Sequence, residues 1–246
     1  MHFYIISKYF GRTGNNLLQI LSFFHTIEAD NVTNYSIPYH KFFSLKNTME
    51  LPKSNDSRVL FDKEMLLSLS LYRLKELYHK YLTTTIKPVP QSYDIGIHIR
   101  SGDIFQGVGH RLYLQPPMYF YDKILNENPD KSKIIVFENA NNPVIPALIE
   151  KYKNVQNIFF QSKSLDVDIM TLSQCNILVC SVGTFCLVPF IISSSIEKIV
   201  IPDYFTKNIW FTFDNVETEI IDLPGYYTGK WANTKEQREK LLLYQP

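Results

Sequence analysis

The stretch DIGIHIRSGDIF, residues 94–105, decides how the chain is read. Its first half is a short apolar run of strand length, Ile95 to Ile99, and it turns polar at Arg100. A strand apolar on both faces belongs inside a covered sheet. The charged groups therefore fall where the strand ends. His98 and Arg100 are two apart and leave the same face of the strand. Gly102 permits a tight turn, and Asp103 follows within reach of Arg100.

Four more runs of the same kind follow: KIIVFEN (133–139), NIFFQS (157–162), NILVCS (176–181) and EKIVIPD (197–203). Helical patterns lie between them at 117–127, 142–153, 168–175 and 184–195. Strand–helix alternation with near-continuous apolar strands predicts a doubly wound parallel sheet with helices on both faces. Ligands of such sheets bind outside the carboxyl ends of the strands.

Upstream the pattern is looser. FYIIS (3–7) reads as a strand, KYFGRTGNN (8–16) as a loop, and residues 16–29 as a helix with Leu17, Leu18, Leu21, Phe24 and Ile27 on one face. NYSIP (34–38) reads as a second strand and 40–61 as irregular. DKEMLLSLSLYRLKELYHKYL (62–82) predicts one long amphipathic helix opened by Asp62. TTTIKPVPQS (83–92) reads as a linker, because its prolines and polar run stop regular structure. The expected organisation is a small N-terminal α/β domain over 1–88 and a Rossmann-like domain over 89–246. The helix in NTKEQREKLLLY (233–244) is expected to pack back on the N-terminal half.

The 246 residues can bury a substantial core, and 45% apolar with 20% charged residues is ordinary for a globular chain. A net charge of +1 implies no general attraction to nucleic acid or anionic lipid. Cys175, Cys180 and Cys186 lie in apolar surroundings and are expected as buried free thiols. The N-terminus lacks a signal-peptide layout, and no run approaches the ~18 apolar residues of a membrane span. A soluble cytoplasmic protein without a transmembrane segment is the expectation.

Five places carry chemistry. Arg100 is the obvious anion ligand, since its fork of donors matches phosphate oxygens. Asp103 is read either as its salt-bridge partner or as a base for a substrate hydroxyl, with His98 packed nearby or in the site. The polar turn Ser181–Thr184 ends another strand. Amides at Gly183 and Thr184, at the start of a helix, form a natural phosphate site; the alternative is that Thr184 merely caps that helix. Glu138, Asn139 and Asn142 offer groups for a base or ribose, or else an Asx turn. Asp166 and Asp168 cap a helix, bind a base or ribose, or form an Asp-x-Asp metal pattern. At the N-terminus, Gly11 and Gly14 free a loop that would present Arg12 and Asn15. Neither the dinucleotide fingerprint nor the phosphate-loop lysine is present there.

Together these pieces resemble a known family. GRTGNNLLQ resembles the opening G-x-x-GN-x-x-x-Q motif of the α1,2-fucosyltransferases and protein O-fucosyltransferases, and HIRSGD their His-x-Arg-x-Gly/Thr-Asp motif. DVDIMTLSQCNILVCSVGTFCLVPFII resembles their late acidic, strand and Ser/Thr-Phe segment, and all three occur in the family's order. The resemblance implies a metal-independent, inverting GT-B glycosyltransferase with two Rossmann-like halves. It implies a nucleotide-diphosphate sugar donor, GDP-fucose in the named families, a glycan acceptor on the N-terminal half, and no cofactor. By position Arg100 grips the donor pyrophosphate and His98 neighbours it. Ser181 and Thr184 touch phosphate, Asp166 or Asp168 is the late acid, and Arg12, Gly14 and Asn15 lie in the loop facing the cleft. Ser101 stands where the α1,2 enzymes carry a second basic residue, and CLVP replaces their Trp-Trp pair. Another sugar, such as rhamnose or xylose on GDP or UDP, fits the same scaffold, and a non-catalytic nucleotide- or glycan-binding module is the reading from another class.

Overall fold

The structure is a computed structural model that describes residues 3–5, 12–31, 35–46, 57–59, 69–106, 113–205, 212–226 and 229–246. The chain divides into two compact units. One comprises Met1–Lys87 with Phe190–Ile192 and Trp210–Val216; the other comprises Pro88–Pro189, Ser193–Ile209 and Glu217–Pro246.

In the larger unit the apolar runs become β6 (Ile95–Ile99), β7 (Lys133–Phe137), β8 (Ile158–Gln161), β9 (Ile177–Cys180) and β10 (Lys198–Pro202). A sixth strand, β11 (Glu217–Ile221), joins them. All pairings are parallel, in the order β11-β10-β9-β6-β7-β8. Counted within the unit this is 3-2-1-4-5-6 read from the β8 edge, the doubly wound order whose chain reversal lies between β6 and β9. The α/β class and the parallel sheet expected from the strand runs are what the chain forms.

The helices are α3 (Met118–Glu127), α4 (Val144–Tyr152), α5 (Leu165–Ser173), α6 (Val188–Ile192) and α7 (Lys235–Leu243). Ile95, Ile97 and Ile99 share one core with Phe120, Tyr121 and Leu125 of α3, with Val144 and Leu148 of α4, and with Leu241 of α7. Gly96 points to the opposite face. A Cβ there would meet Cys175 Sγ at 2.8 Å and Leu172 at 3.0 Å, so the missing side chain lets α5 and its C-terminal turn lie close on β6. The two periods of the strand thus address two helical layers.

Several expectations change. β11 went unread because Glu217 and Glu219 break its apolar run; the strand is a sheet edge, and Lys198 Nζ meets Glu219 Oε2 across it at 2.7 Å. The helix expected over 184–195 is a 3-10 turn, Phe185–Leu187, followed by the five-residue α6. The C-terminal helix packs on α3 and α4 of its own unit. Thr234 and Gln237 close a capping box at its start. The linker is tied down: Val89 N–H donates to Gln174 Oε1 at 2.8 Å, and Gln174 Nε2 returns to Val89 O at 2.9 Å.

The smaller unit has a parallel three-stranded sheet, β2-β1-β4, from Phe3–Ile5 (β1), Tyr35–Ser36 (β2) and Ser57–Val59 (β4). Phe43–Leu45 (β3) pairs antiparallel with Leu82–Thr84 (β5), in segments read as irregular and as linker. α1 (Thr13–Ala29) packs on α2 (Leu71–Tyr81). Among the described residues the helix expected from Asp62 begins at Leu71. Ser70 is extended, bridges to Thr212, and accepts the Arg73 N–H on its hydroxyl at 3.1 Å. Asp62 lies outside the described residues. Glu28 ties the helices together by accepting from Arg73, from Lys80 Nζ at 2.5 Å and from Tyr81 Oη at 2.8 Å.

Replacing Gly96 by Val forces three heavy atoms into this contact. The substitution should cost about 1–3 kcal/mol, the usual range for overpacking, and lower the thermal midpoint in a calorimetric scan. An unchanged midpoint would remove the close α5–β6 contact from the account.

Candidate functional site

The chain reversal between β6 and β9 puts Arg100 and Ser181 side by side. Arg100 N–H donates to Ser181 Oγ at 3.1 Å, and Asn142 Nδ2 donates to Arg100 O at 3.0 Å from the β7 side. Both helpers are fully buried. The residue that follows β6 is therefore held from both neighbouring strand ends.

Next comes a turn that needs glycine. Gly102 has φ +79, and a Cβ there would fall 2.2 Å from Glu138 Oε2. Asn141 clamps this glycine, accepting its N–H at 2.8 Å on Oδ1 and donating Nδ2 to its carbonyl at 2.8 Å. Ser101 Oγ accepts the Asn139 N–H at 3.1 Å. Residues 102–105 then form a 3-10 turn whose carbonyls at Ile104 and Phe105 accept from Trp231 Nε1 at 3.0 Å and Arg238 Nη2 at 2.9 Å. Asn141, Trp231 and Arg238 escaped sequence reasoning because no local pattern ties them to 102–105; the NANNP run did mark a turn.

The side chains define the electrostatics. Arg100 is mostly shielded, at 14% exposure, whereas Asp103 and Glu138 are 51% and 54% exposed. The guanidinium is ion-paired to Asp103 Oδ1 through Nη2, and its Nη1 lies 4.0 Å from Glu138 Oε2. The salt-bridge alternative stated for Arg100 and Asp103 is thus the arrangement seen. His98 is also packed: it is 5% exposed, tilted on Phe185 at 4.9 Å, and its Nδ1 has no hydrogen-bond partner among the described residues. Burial, reinforced by the Arg100 charge, pushes His98 down to about 3. The imidazole is neutral at physiological pH and adds no charge to the site.

Gly183, with φ +81, turns the chain after β9, and the Cys186 thiol donates to its carbonyl at 2.9 Å. Thr184 is half-buried and makes no side-chain cap bond. With only a 3-10 turn and one short helix behind it, the dipole expected at Gly183–Thr184 is weak. All three cysteines are free and buried; burial pushes Cys175 up to about 12 and raises Cys180 as well.

Asp168 is buried and accepts Gln161 Nε2 at 2.8 Å and the Lys163 N–H at 3.3 Å. Burial raises it, against these hydrogen bonds and the Lys163 charge. Asp166 is half-buried in the first turn of α5. Arg12 is the residue before α1, and Asn15 O accepts Gln19 Nε2 at 2.9 Å. Gly14 is helical, so it frees no loop; Gly11 lies outside the described residues. Among the described residues no three His, Cys, Asp or Glu side chains are grouped to hold a metal ion. None of their helices is long and apolar enough to cross a membrane.

No family model matches the chain, and no curated protein does. Among solved structures it is similar to the E. coli heptosyltransferase WaaC with ADP, at 7% identity and a TM-score of 0.41. The match covers 69% of this chain and 47% of that one, so the chain spans about half the length of that structure.

The buried neutral histidine sets a pH dependence. In the unfolded chain His98 takes a proton below its ordinary 6.5, but the folded chain resists until about 3. Its contribution is complete above pH 6.5 and is lost as pH falls through that window, by up to ~1.4 kcal/mol per pH unit. His98→Gln should flatten the acid side of a urea-midpoint series by about one proton. An unaltered slope would show that His98 is not buried neutral.

Proposed function

We propose that the chain is a GT-B-type, inverting, metal-independent glycosyltransferase. It moves a sugar, fucose first among the options, from a nucleotide-diphosphate sugar to a glycan hydroxyl. One observation carries the reading: a guanidinium, Arg100, at the chain reversal of a 3-2-1-4-5-6 parallel sheet, on a backbone pinned from both sides. That is where doubly wound sheets bind nucleotides, and it is where HIRSGD resembles the fucosyltransferase motif.

The chemistry follows from the leaving group. The acceptor oxygen forms a bond to the anomeric carbon from the face opposite the diphosphate. The carbon–oxygen bond to the diphosphate breaks, and its electron pair leaves on the phosphate oxygen. The acceptor proton goes to a carboxylate, for which Asp103 is the first choice and Glu138 the second. Arg100 meets the growing negative charge with donors that need no reorganisation. Gly183 and Thr184 lie at the neighbouring strand end and would add amide or hydroxyl donors. Asn139 and Glu138, one strand over, would face the base or ribose. Arg12 and Asn15, at the start of α1, would serve the acceptor side.

Arg100→Ala and Arg100→Lys test this directly. Removing one such donor typically costs about 100- to 1,000-fold in turnover. Lysine should fail nearly as badly, because a point charge replaces a planar fork. The assay follows release of nucleoside diphosphate from GDP-fucose and other sugar nucleotides, with and without EDTA. Full turnover by Arg100→Ala would end the proposal, and metal-reversible loss in EDTA would return attention to Asp166 and Asp168.

A further inference from the structure

We infer that Arg238, together with Trp231, is a positioning residue for the reaction: from the C-terminal segment it fixes the turn that carries Asp103. This rests on the reading of Asp103 as the base and Arg100 as the diphosphate ligand. The geometry that points to it is the full use of one turn's carbonyls. The 3-10 turn Gly102–Phe105 has four residues. The Gly102 carbonyl accepts from Asn141 Nδ2 at 2.8 Å, and that of Asp103 from the Gln106 N–H at 3.0 Å. The Ile104 carbonyl accepts from Trp231 Nε1 at 3.0 Å, and that of Phe105 from Arg238 Nη2 at 2.9 Å. Asp103 therefore stands between two grips. Asn141 holds the Gly102 side, and side chains 127 and 133 positions along the chain hold the other.

The C-terminal grip is itself braced. Trp231 is buried, and its ring meets Phe105 edge-on at 5.2 Å. Arg238 uses its fork twice, with Nη2 on the Phe105 carbonyl and Nε on Asn233 Oδ1 at 2.8 Å. Its guanidinium carbon also lies 5.6 Å from the centre of the Phe105 ring. Asn233 adopts a left-handed φ of +59, which asparagine tolerates. Gln237 accepts the Ala232 N–H at 2.8 Å and donates to the Lys230 carbonyl at 2.8 Å, so residues 230–234 are folded onto the first turn of α7. Arg100 has a different support, because its main chain is held by Ser181 and Asn142. Strand ends thus place the diphosphate ligand, and the C-terminal segment places the base. Losing Arg238, or the Trp231 N–H, leaves the first support intact and lets the turn pivot on left-handed Gly102. Asp103 then shifts against an acceptor that has not moved, and a misplacement of about 1 Å can cost about 100-fold in rate.

The test combines calorimetric titration of GDP, UDP and ADP with release of nucleoside diphosphate from GDP-fucose and other sugar nucleotides. It compares wild type, Arg238→Ala, Trp231→Phe, Asp103→Asn and the double variant Arg238→Ala/Asp103→Asn. Trp231→Phe keeps a ring against Phe105 and removes the N–H donor, so it serves if Arg238→Ala disturbs folding. Both C-terminal variants should lower turnover about 10- to 100-fold. Affinity for the best-bound diphosphate should stay within about twofold, the scatter of independent sites. The double variant should be no more than about twofold slower than Asp103→Asn, because a residue that acts only through Asp103 then has nothing to place. Full turnover by both C-terminal variants, equal loss of affinity and turnover, or multiplied losses in the double variant overturns the inference and leaves the roles of Arg100 and Asp103 standing; a merely structural contact would behave that way. Full turnover by Asp103→Asn, or a wild type that binds no diphosphate or releases none, overturns the reading of the site and this inference together.

Discussion

The peptide group of Arg100 is held by a serine on one side and an asparagine on the other, and the site is built on that grip. Ser181 follows β9 and Asn142 follows β7, so the ends of two neighbouring strands reach across to the end of β6. Both side chains are excluded from solvent, where an unmade hydrogen bond costs about 1–3 kcal/mol. Pairing them with the main chain of Arg100 resolves that cost and fixes where the guanidinium starts. The Gly102 turn can then fold back under Glu138, because its amide and carbonyl are already taken by Asn141.

His98 is neutral, and the Cys175 and Cys180 thiols are pushed up by burial, so none of these three brings a charge. Asp168 faces inward to Gln161 and Lys163. Among the described residues, the Arg100 guanidinium beyond the end of β6 faces the half-exposed carboxylates of Asp103 and Glu138.

The left-handed glycines on either side of that arginine do related work. Gly102 bends the chain after β6 and Gly183 bends it after β9. A side chain at Gly102 would strike Glu138, and one at Gly183 would reach the Tyr113 ring at 3.4 Å. The turns after two adjacent parallel strands are thereby kept short and their backbones close together.

Much of this was legible in the residues alone. Five apolar runs of strand length separated by helical patterns determine a parallel sheet, because only a strand covered on both faces can be apolar throughout. The same pattern places Arg100, Glu138 and Ser181 at strand ends, and it marks the glycine at 102. The tertiary structure alone decided the strand order and so which ends adjoin; it added β11, whose acids hid it, and it began α2 at Leu71. It also decided that Arg100 pairs with Asp103, that His98 is sealed in and neutral, and that Asn141, Trp231 and Arg238 hold the turn. These are contacts between residues up to 133 positions apart, and local periodicity carries no information about distant partners.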